Sequence, residues 1–348
     1  MDFGIMLGDH PTKVPASEHF DAILRQVEAA QEAGFTYLLI GQHFLFPGGS
    51  RWLQPVPTLA RLAGEVGPET RLATQIIIAP LYSPVMLAED LATLDIVSGG
   101  RLDVGLGIGY LPYEYEVIGV PYEERIPRFE EGIELMRLLW ANDRVDFQGE
   151  FYSVPDGHVH VRPLQQPNPP IWLGAQTKTG IRRAARLGDA WPITPQVSAE
   201  ELPDRLGIFV DERERLGKPV GRQPLRREIV VGNDREDAIA KAIQMAQPWY
   251  LQMAAMGTKE VDPSEVVSQM RDIVTRSFVL GDAAECAEQL RSIGATAPVN
   301  PVVTRANWPT MSSEEMVSYV EDLGRELIPS MRDYESSEVL IRAGGGGD

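Results

Sequence analysis

Arg101-Leu102-Asp103-Val104-Gly105-Leu106-Gly107-Ile108-Gly109 alternates apolar residues with small or polar ones. Side chains alternate across a strand, so Leu102, Val104, Leu106 and Ile108 share one face. Asp103, Gly105, Gly107 and Gly109 share the other. The apolar face calls for helices packed on it, and the bare face suits the inside of a barrel. Barrel interiors are ordinarily filled by bulky branched residues. Successive glycines there leave space near the barrel mouth or let a flat ligand touch backbone; packing against one large neighbour is the plainer alternative. The spacing is G-x-G-x-G, so this is not the G-x-G-x-x-G dinucleotide fingerprint.

Seven further runs read as strands: Phe3–Leu7, Tyr37–Ile40, Leu72–Ile78, Ile171–Gly174, Ala190–Thr194, Arg227–Val231 and Val299–Thr304. Helical patterns lie between them. Phe20, Ile23, Leu24 and Val27 share one face of a run that stops at Gly34. Ile126, Phe129, Ile133, Met136 and Trp140 form one apolar stripe. Ser198 with Glu201, Asp282 with Glu285 and Ser312 with Glu315 carry the spacing of a capping box. Strands alternating with helices through mostly short joints predict an α/β protein, a (β/α)8 TIM barrel with insertion segments, over a doubly wound open sheet. The expected organisation is one domain over 1–335 and a flexible tail over 336–348, which ends in four glycines. The insertions are Asn142–Pro170, with a hairpin-like stretch from Val145 to Tyr152, and Gly257–Ser277.

Composition narrows the function. The chain has 348 residues, with 32 Lys and Arg against 50 Asp and Glu, for a net charge of −18. That excess of acid argues against nucleic acid or an anionic membrane as partner. The single cysteine, Cys286, excludes an intrachain disulfide and a cysteine-built metal cluster. No run of about 20 apolar residues occurs, and the N-terminus lacks a signal-peptide pattern. The expectation is a cytoplasmic protein.

In a barrel the chemistry gathers where strands end and the next loops begin. His43, just past the second strand, is the best candidate for proton transfer, because imidazole titrates near neutrality. His10 has a weaker claim. Gly174-Ala175-Gln176-Thr177-Lys178-Thr179-Gly180 opens onto a helix, whose N-terminal N–H groups and dipole suit a phosphate. Thr177 and Thr179 add hydroxyls, and Arg182 and Arg183 add positive charge in the first turn. An ordinary N-capped helix is the alternative. His158 and His160 lack a carboxylate to complete a metal site, so none is expected. None of the five lysines falls in a predicted strand, against Schiff-base chemistry. No Gly-x-Ser-x-Gly elbow occurs.

The sequence resembles the bacterial luciferase-like family of flavin-dependent enzymes. The likeness is strongest over Arg71–Trp140, through Pro80-Leu81-Tyr82-Ser83-Pro84-Val85, the run from Leu91 to Arg101, Gly105-Leu106-Gly107-Ile108-Gly109-Tyr110, Glu114, Gly119-Val120-Pro121 and Arg125. A second block runs from Pro169 to Gln176 and from Arg182 to Trp191. The resemblance implies a TIM-type barrel that holds FMN, or the deazaflavin F420, at the C-terminal ends of the strands. His43 stands at the position of a catalytic histidine. Thr74, Gln75 and Ile76 match a segment beside the flavin ring that often carries a non-proline cis peptide, here placed between Gln75 and Ile76. Gly107, Gly109 and Tyr110 match the cofactor side of the fourth strand. Gly174, Ala175, Gln176, Thr177 and Thr179 match the phosphate loop. Ile108 stands where luciferase itself has an arginine, and Ala175 and Gln176 replace its acid–serine pair. The phosphate contacts therefore differ from those of luciferase.

The resemblance implies a two-component monooxygenase, with reduced FMN from a separate flavin reductase, O2 and a small organic substrate. The alternatives are F420-dependent hydride transfer and a non-catalytic flavin-binding protein. A homodimer is expected. Substrate contacts are expected from Asp9–Pro15, Phe44–Gln54, Asn142–Pro170 and Gly257–Ser277, the least regular segments.

Overall fold

The computed structural model describes residues 1–12, 14–256 and 265–341. The glycine tail at 343–348 and the first part of the second insertion, 257–264, lie outside the described residues. The central sheet is built from β1 (Phe3–Leu7), β2 (Tyr37–Ile40), β3 (Arg71–Thr74), β4 (Leu102–Gly107), β5 (Ile171–Leu173), β6 (Gln223–Arg226) and β7 (Val299–Arg305). Their order is β5-β4-β3-β2-β1-β7-β6, with the short strand Ile77–Ile78 also paired to β4. Every pair is parallel, and the sheet curls into a half-barrel.

The two faces of β4 divide as the alternation predicts. Leu102, Val104 and Leu106 join the main hydrophobic core under the helices. On the concave face Met6, Leu39, Ala73, Trp172, Ala190 and Val303 form a separate cluster. Asp103 points to that side and pairs with Arg71 at 2.6 Å. Helix Ala16–Ala33 ends at Gly34 with φ +91°, where a residue without Cβ is favoured. The stripe from Phe129 to Trp140 lies on helix Arg125–Ala141, and Phe129, Ile133, Met136 and Trp140 are buried. The capping boxes at Asp282–Glu285 and Ser312–Glu315 are formed, and Ser198 and Glu201 exchange the same two hydrogen bonds just ahead of helix Leu202–Arg215.

Several expectations change. The third run is broken: Arg71–Thr74 and Ile77–Ile78 are separate strands, and the Gln75–Ile76 peptide between them is cis. Ala190–Thr194 makes only single parallel bridges, Trp172↔Ala190 and Ile193↔Leu225. In place of the strand expected at Arg227–Val231, the curl uses β6, Gln223–Arg226. The apolar run Ile229–Val231 pairs instead with Val279–Gly281. It borders a second core under helices Arg235–Ala255 and Val266–Ser277. In the expected tail, the Ser337 and Ile341 amides bond to the carbonyls of Gly294 and Thr296, so its described part is tied to a helix end.

Asn142–Pro170 does form a hairpin, Arg144–Gln148 with Ser153–His158. Its turn lies against the N-terminal part of helix Arg125–Ala141, where the amides of Glu150, Phe151 and Tyr152 donate to Glu131 and Arg128 stacks on Phe151. Gln165 donates to Asp95 and to the Leu102 carbonyl, at the start of β4. The end of the insertion thus lies at the N-terminal end of β4, below the hairpin's turn. By contrast Asp9–Pro11 pairs antiparallel with Ser50–Trp52, which brings the first two mouth loops together.

Candidate active site

Gly41 directly follows β2 and leads into Gln42 and His43. The Gln42 carboxamide fixes this loop. Its oxygen accepts from the Ile78 amide at 3.0 Å, and its nitrogen meets Gln54 at 2.6 Å and the Tyr82 hydroxyl. Gln54 in turn donates to the His43 carbonyl at 3.1 Å. The ends of β2 and β3 are thereby tied to helix Pro55–Leu62.

His43 is 9% exposed, and Glu114 beside it is fully buried. Glu114 Oε1 lies 3.0 Å from His43 Nδ1 and accepts from the Phe44 amide at 2.8 Å. With Nδ1 carrying its proton toward the carboxylate, Nε2 bears the lone pair, the tautomer this partner favours. Nε2 lies 3.5 Å from the Tyr110 hydroxyl. Tyr110 is 47% exposed, so this side of the imidazole faces the mouth. Phe46 and Trp52 rings lie 4.6 and 4.7 Å from the imidazole.

The glycines of β4 serve packing first. A Cβ on Gly105 would lie 1.9 Å from the Thr74 carbonyl oxygen, and one on Gly107 would lie 1.9 Å from Ile76 Cδ1. Cβ atoms on Gly41 and Gly174 would come to 2.9 Å from the Gln75 oxygen and 3.2 Å from Ile76 Cδ1. Four glycines, in or just after three strands, thus seat the Thr74–Ile76 segment. The bare face of β4 is filled by Ile76, which corrects the reading of open space over the glycines. Ile76 itself is half-buried and presents an apolar floor. Thr74 is fully buried and its hydroxyl bonds both ways to the backbone of Gly105 at 2.8 Å, so it braces the strands. Gln75 Oε1 is buried and without a partner.

The Gly174–Gly180 loop opens helix Lys178–Leu187. Thr177 Oγ1 accepts from the Gly180 amide at 3.1 Å, an ordinary N-cap. Thr179 is exposed, as are Gln176 and Lys178, while Gly174 and Ala175 are half-buried. The Ala175 carbonyl accepts from Trp191 Nε1 at 2.9 Å. Arg183 is bound to Glu130 at 2.7 Å, as is Arg186 at 2.8 Å, so Arg183 does not supply the free charge expected of it. His10 is not at the site's reacting edge. Its ring packs 4.1 Å from that of His19, both fully buried, and burial holds its pKa down to about 3. His158 and His160 are exposed, and among the described residues no group of three or more His, Cys, Asp or Glu could hold a metal.

Of the residues singled out in the sequence, His43, Tyr110, Gln75, Ile76, Gly107 and Gly109 belong to strand ends or loops around one mouth. Glu114 was quoted only within a motif, and its pairing with His43 was not foreseen. Nor were Trp249 and Arg305. They come from distant stretches, and only the fold brings them to the same wall.

Comparison with known proteins places this geometry. The model of the family described as luciferase-like monooxygenase matches residues 1–299. The chain belongs to the luciferase-like monooxygenase family. The oxygenase component of a flavin-dependent trigonelline monooxygenase from Acinetobacter baylyi is 31% identical over 233 residues, 65% of this chain and 63% of that protein. An F420-dependent glucose-6-phosphate dehydrogenase from Amycolatopsis mediterranei is 29% identical over 278 residues, 75% of this chain and 81% of that protein. Among solved structures, the monooxygenase RslO1 from Streptomyces bottropensis superposes with a TM-score of 0.80 at 27% identity, covering 94% of this chain and 99% of that one. Flavin and deazaflavin enzymes therefore both stand among this chain's relatives.

Proposed function

We propose that this luciferase-like chain is a flavin-dependent oxidoreductase, the oxygenase of a two-component system that takes reduced FMN from a separate reductase and uses O2 on a small organic substrate. The observation that carries the reading is His43, held at Nδ1 by buried Glu114 and presenting Nε2 toward the half-exposed Tyr110. The residues fit a flavin. Gln75 Oε1, buried and unpartnered, suits the imide N–H of the ring, and Ile76 with Gly107 and Gly109 offers an apolar surface beneath it. The backbone at Gly174, Ala175 and Gln176 and the exposed Thr179 would receive the ribityl phosphate, with Thr177 holding the helix end in place. When bound, the reduced flavin supplies the electrons for the reaction with O2.

The chain's own residues would do three things. Glu114 fixes the imidazole, so that Nε2 can take or give a proton at a defined place. Tyr110 would bracket that nitrogen from the open side. Ile76, Phe46 and Trp52 would keep water from the reacting groups.

The same His43–Glu114 pair would serve hydride transfer with F420, the cofactor named for the Amycolatopsis relative, and this is the second reading. A non-catalytic flavin-binding role is the weakest, because it leaves a buried carboxylate–imidazole pair without purpose. The wider proposal includes one domain over 1–335, a cytoplasmic location and a homodimer. It also includes closure of the curled sheet into a (β/α)8 barrel through residues 190–193. The two single bridges to β5 and β6 support that closure. No described helix is long and apolar enough to cross a membrane.

Anaerobic titration with reduced FMN and with F420 tests the reading. Binding of reduced FMN and strict dependence of turnover on O2 are expected. Tight F420 binding with no affinity for reduced FMN would replace the first reading with the second.

A further inference from the structure

The loop that carries His43 holds one residue in a conformation its chemistry disfavours. Among the described residues, Leu45 and Asp156 are the non-glycine positions with positive φ, at +45° and +53°. Asp156 lies in the insertion hairpin, and aspartate tolerates the left-handed region. A bulky leucine there is an outlier, because its Cβ crowds the following carbonyl oxygen. Leu45 is also 73% exposed. It belongs to Phe44-Leu45-Phe46-Pro47, four apolar residues in a row at a turn that glycine or asparagine would suit better.

The neighbours explain how the conformation is held, not why the residue is leucine. The Phe44 amide donates to Glu114 at 2.8 Å, and the Phe44 ring lies 5.9 Å from that of Tyr82. Phe46 packs elsewhere, its ring 4.6 Å from His43 and 5.9 Å from Trp52. Gly48 sits so tightly against Phe46 and Gln252 that a Cβ there would overlap both. These anchors over-determine the turn between the two phenylalanines. Glycine at position 45 would make the same turn without strain and leave no apolar side chain in water. Strain that persists beside a reacting group points to a role in the site. Leu45 stands two residues from His43.

The surroundings of the imidazole indicate that role. The Phe46, Trp52 and Tyr110 rings lie 4.6, 4.7 and 5.8 Å from it, and all three keep some exposure. Trp249, on helix Arg235–Ala255, backs them. It is near-parallel to Phe46 at 6.3 Å, and the Arg305 guanidinium lies 4.0 Å from its centre. The open side of His43 is thus ringed by neutral, mostly apolar side chains. An ionic group of a ligand set against them would lose its water without gaining a counter-charge. An apolar body would gain by covering them and Leu45.

We propose that Leu45 is a substrate-contacting residue, the apolar lip of the mouth, and that the substrate is an uncharged, largely apolar molecule lying across Leu45, Phe46 and Trp52. The inference rests on the flavin reading only in naming this mouth as the place where substrate meets cofactor.

Three probes with one aromatic ring each test it: neutral acetophenone, anionic benzoate and cationic benzyltrimethylammonium. Each is titrated calorimetrically into the full chain with reduced FMN present, under anaerobic conditions. Acetophenone should bind most tightly. Leu45→Asn should weaken it about threefold to tenfold, the worth of covering about half a leucine side chain. Asparagine suits the left-handed turn, so the urea midpoint of this variant should equal or exceed that of the wild type. Leu45→Met keeps the apolar bulk and should bind acetophenone within about twofold of wild type. Either ion binding as tightly as acetophenone, or no acetophenone binding at millimolar concentration, would overturn the proposal. So would wild-type affinity in Leu45→Asn. A lower urea midpoint for Leu45→Asn would also overturn it, by showing that the leucine serves the fold. Flavin affinity is measured first. If reduced FMN does not bind, the functional reading falls alone, and the same ranking and the same Leu45→Asn loss in the flavin-free chain would uphold the lip.

Discussion

Lowering the pH from 7 to 5 should destabilise this protein sharply through two residues, His10 and His19. Both rings are fully buried, with centroids 4.1 Å apart, and the positive charge of Arg51 acts on both. Burial is the main cause that holds His10 to a pKa of about 3 and His19 to about 4. The unfolded chain protonates its histidines near pH 6.5. Between pH 6.5 and about 4 the unfolded state therefore binds protons that the folded state refuses. Stability is fully present above pH 6.5, falls as the pH drops, and levels off once the folded rings also protonate. From pH 7 to 5 the loss is about 2 kcal/mol for each ring and about 4 kcal/mol for the pair. Urea unfolding at the two pH values measures it. The double variant His10→Phe, His19→Leu isolates it, because each protein is compared with itself and the cost of repacking cancels. The variant should lose about 4 kcal/mol less than the wild type over that interval. Equal losses, within about 1 kcal/mol, would show that the pair is not held neutral and would refute the reasoning.

Glu114→Ala should lower turnover about 100-fold, and Glu114→Gln about tenfold, since the amide still accepts a hydrogen bond but no longer with a full charge; steady-state kinetics of cofactor oxidation on the folded variants checks this, and activity within twofold of wild type would deny the carboxylate its role. Gly105→Ala should destabilise the fold by about 3 kcal/mol and more than Gly107→Ala, because its Cβ meets the Thr74 carbonyl whereas that of Gly107 meets the movable end of Ile76. Thermal unfolding ranks the two, and Ile76→Ala should relieve Gly107→Ala but not Gly105→Ala. Cys286 is buried, and desolvation raises its thiol pKa to about 12, so it should resist alkylation in the native protein and react only after unfolding, as mass spectrometry would show.

The parts of the fold legible in the sequence were those written in local chemistry. The two faces of β4, the stop at Gly34 and the capping boxes at Asp282 and Ser312 all follow from neighbours within a few positions. The seventh strand was misplaced because Ile229-Val230-Val231 is more apolar than Gln223-Pro224-Leu225-Arg226. The polar Gln223 side chain accepts from the Trp191 amide, 32 residues away, a tertiary fact with no local signature. The site divides in the same way. His43 could be found by position, whereas Glu114 lies 71 residues away and announces nothing until the fold sets it against the imidazole. The glycines of β4 were rightly singled out, but their nearest beneficiary is Ile76, because a bare face in a packed interior is filled by whatever neighbour can reach it.

The most direct test of the whole account is a crystal structure of the protein soaked with FMN and, separately, with F420. One of the two tricyclic rings should lie on Ile76 within reach of Gln75, with His43 Nε2 facing it and the phosphate at Gly174–Thr179. Density for neither molecule at this mouth, or for the ring only in the polar cleft of about 340 Å³ between Met1, Arg222 and Glu335 at the other end of the strands, would contradict it.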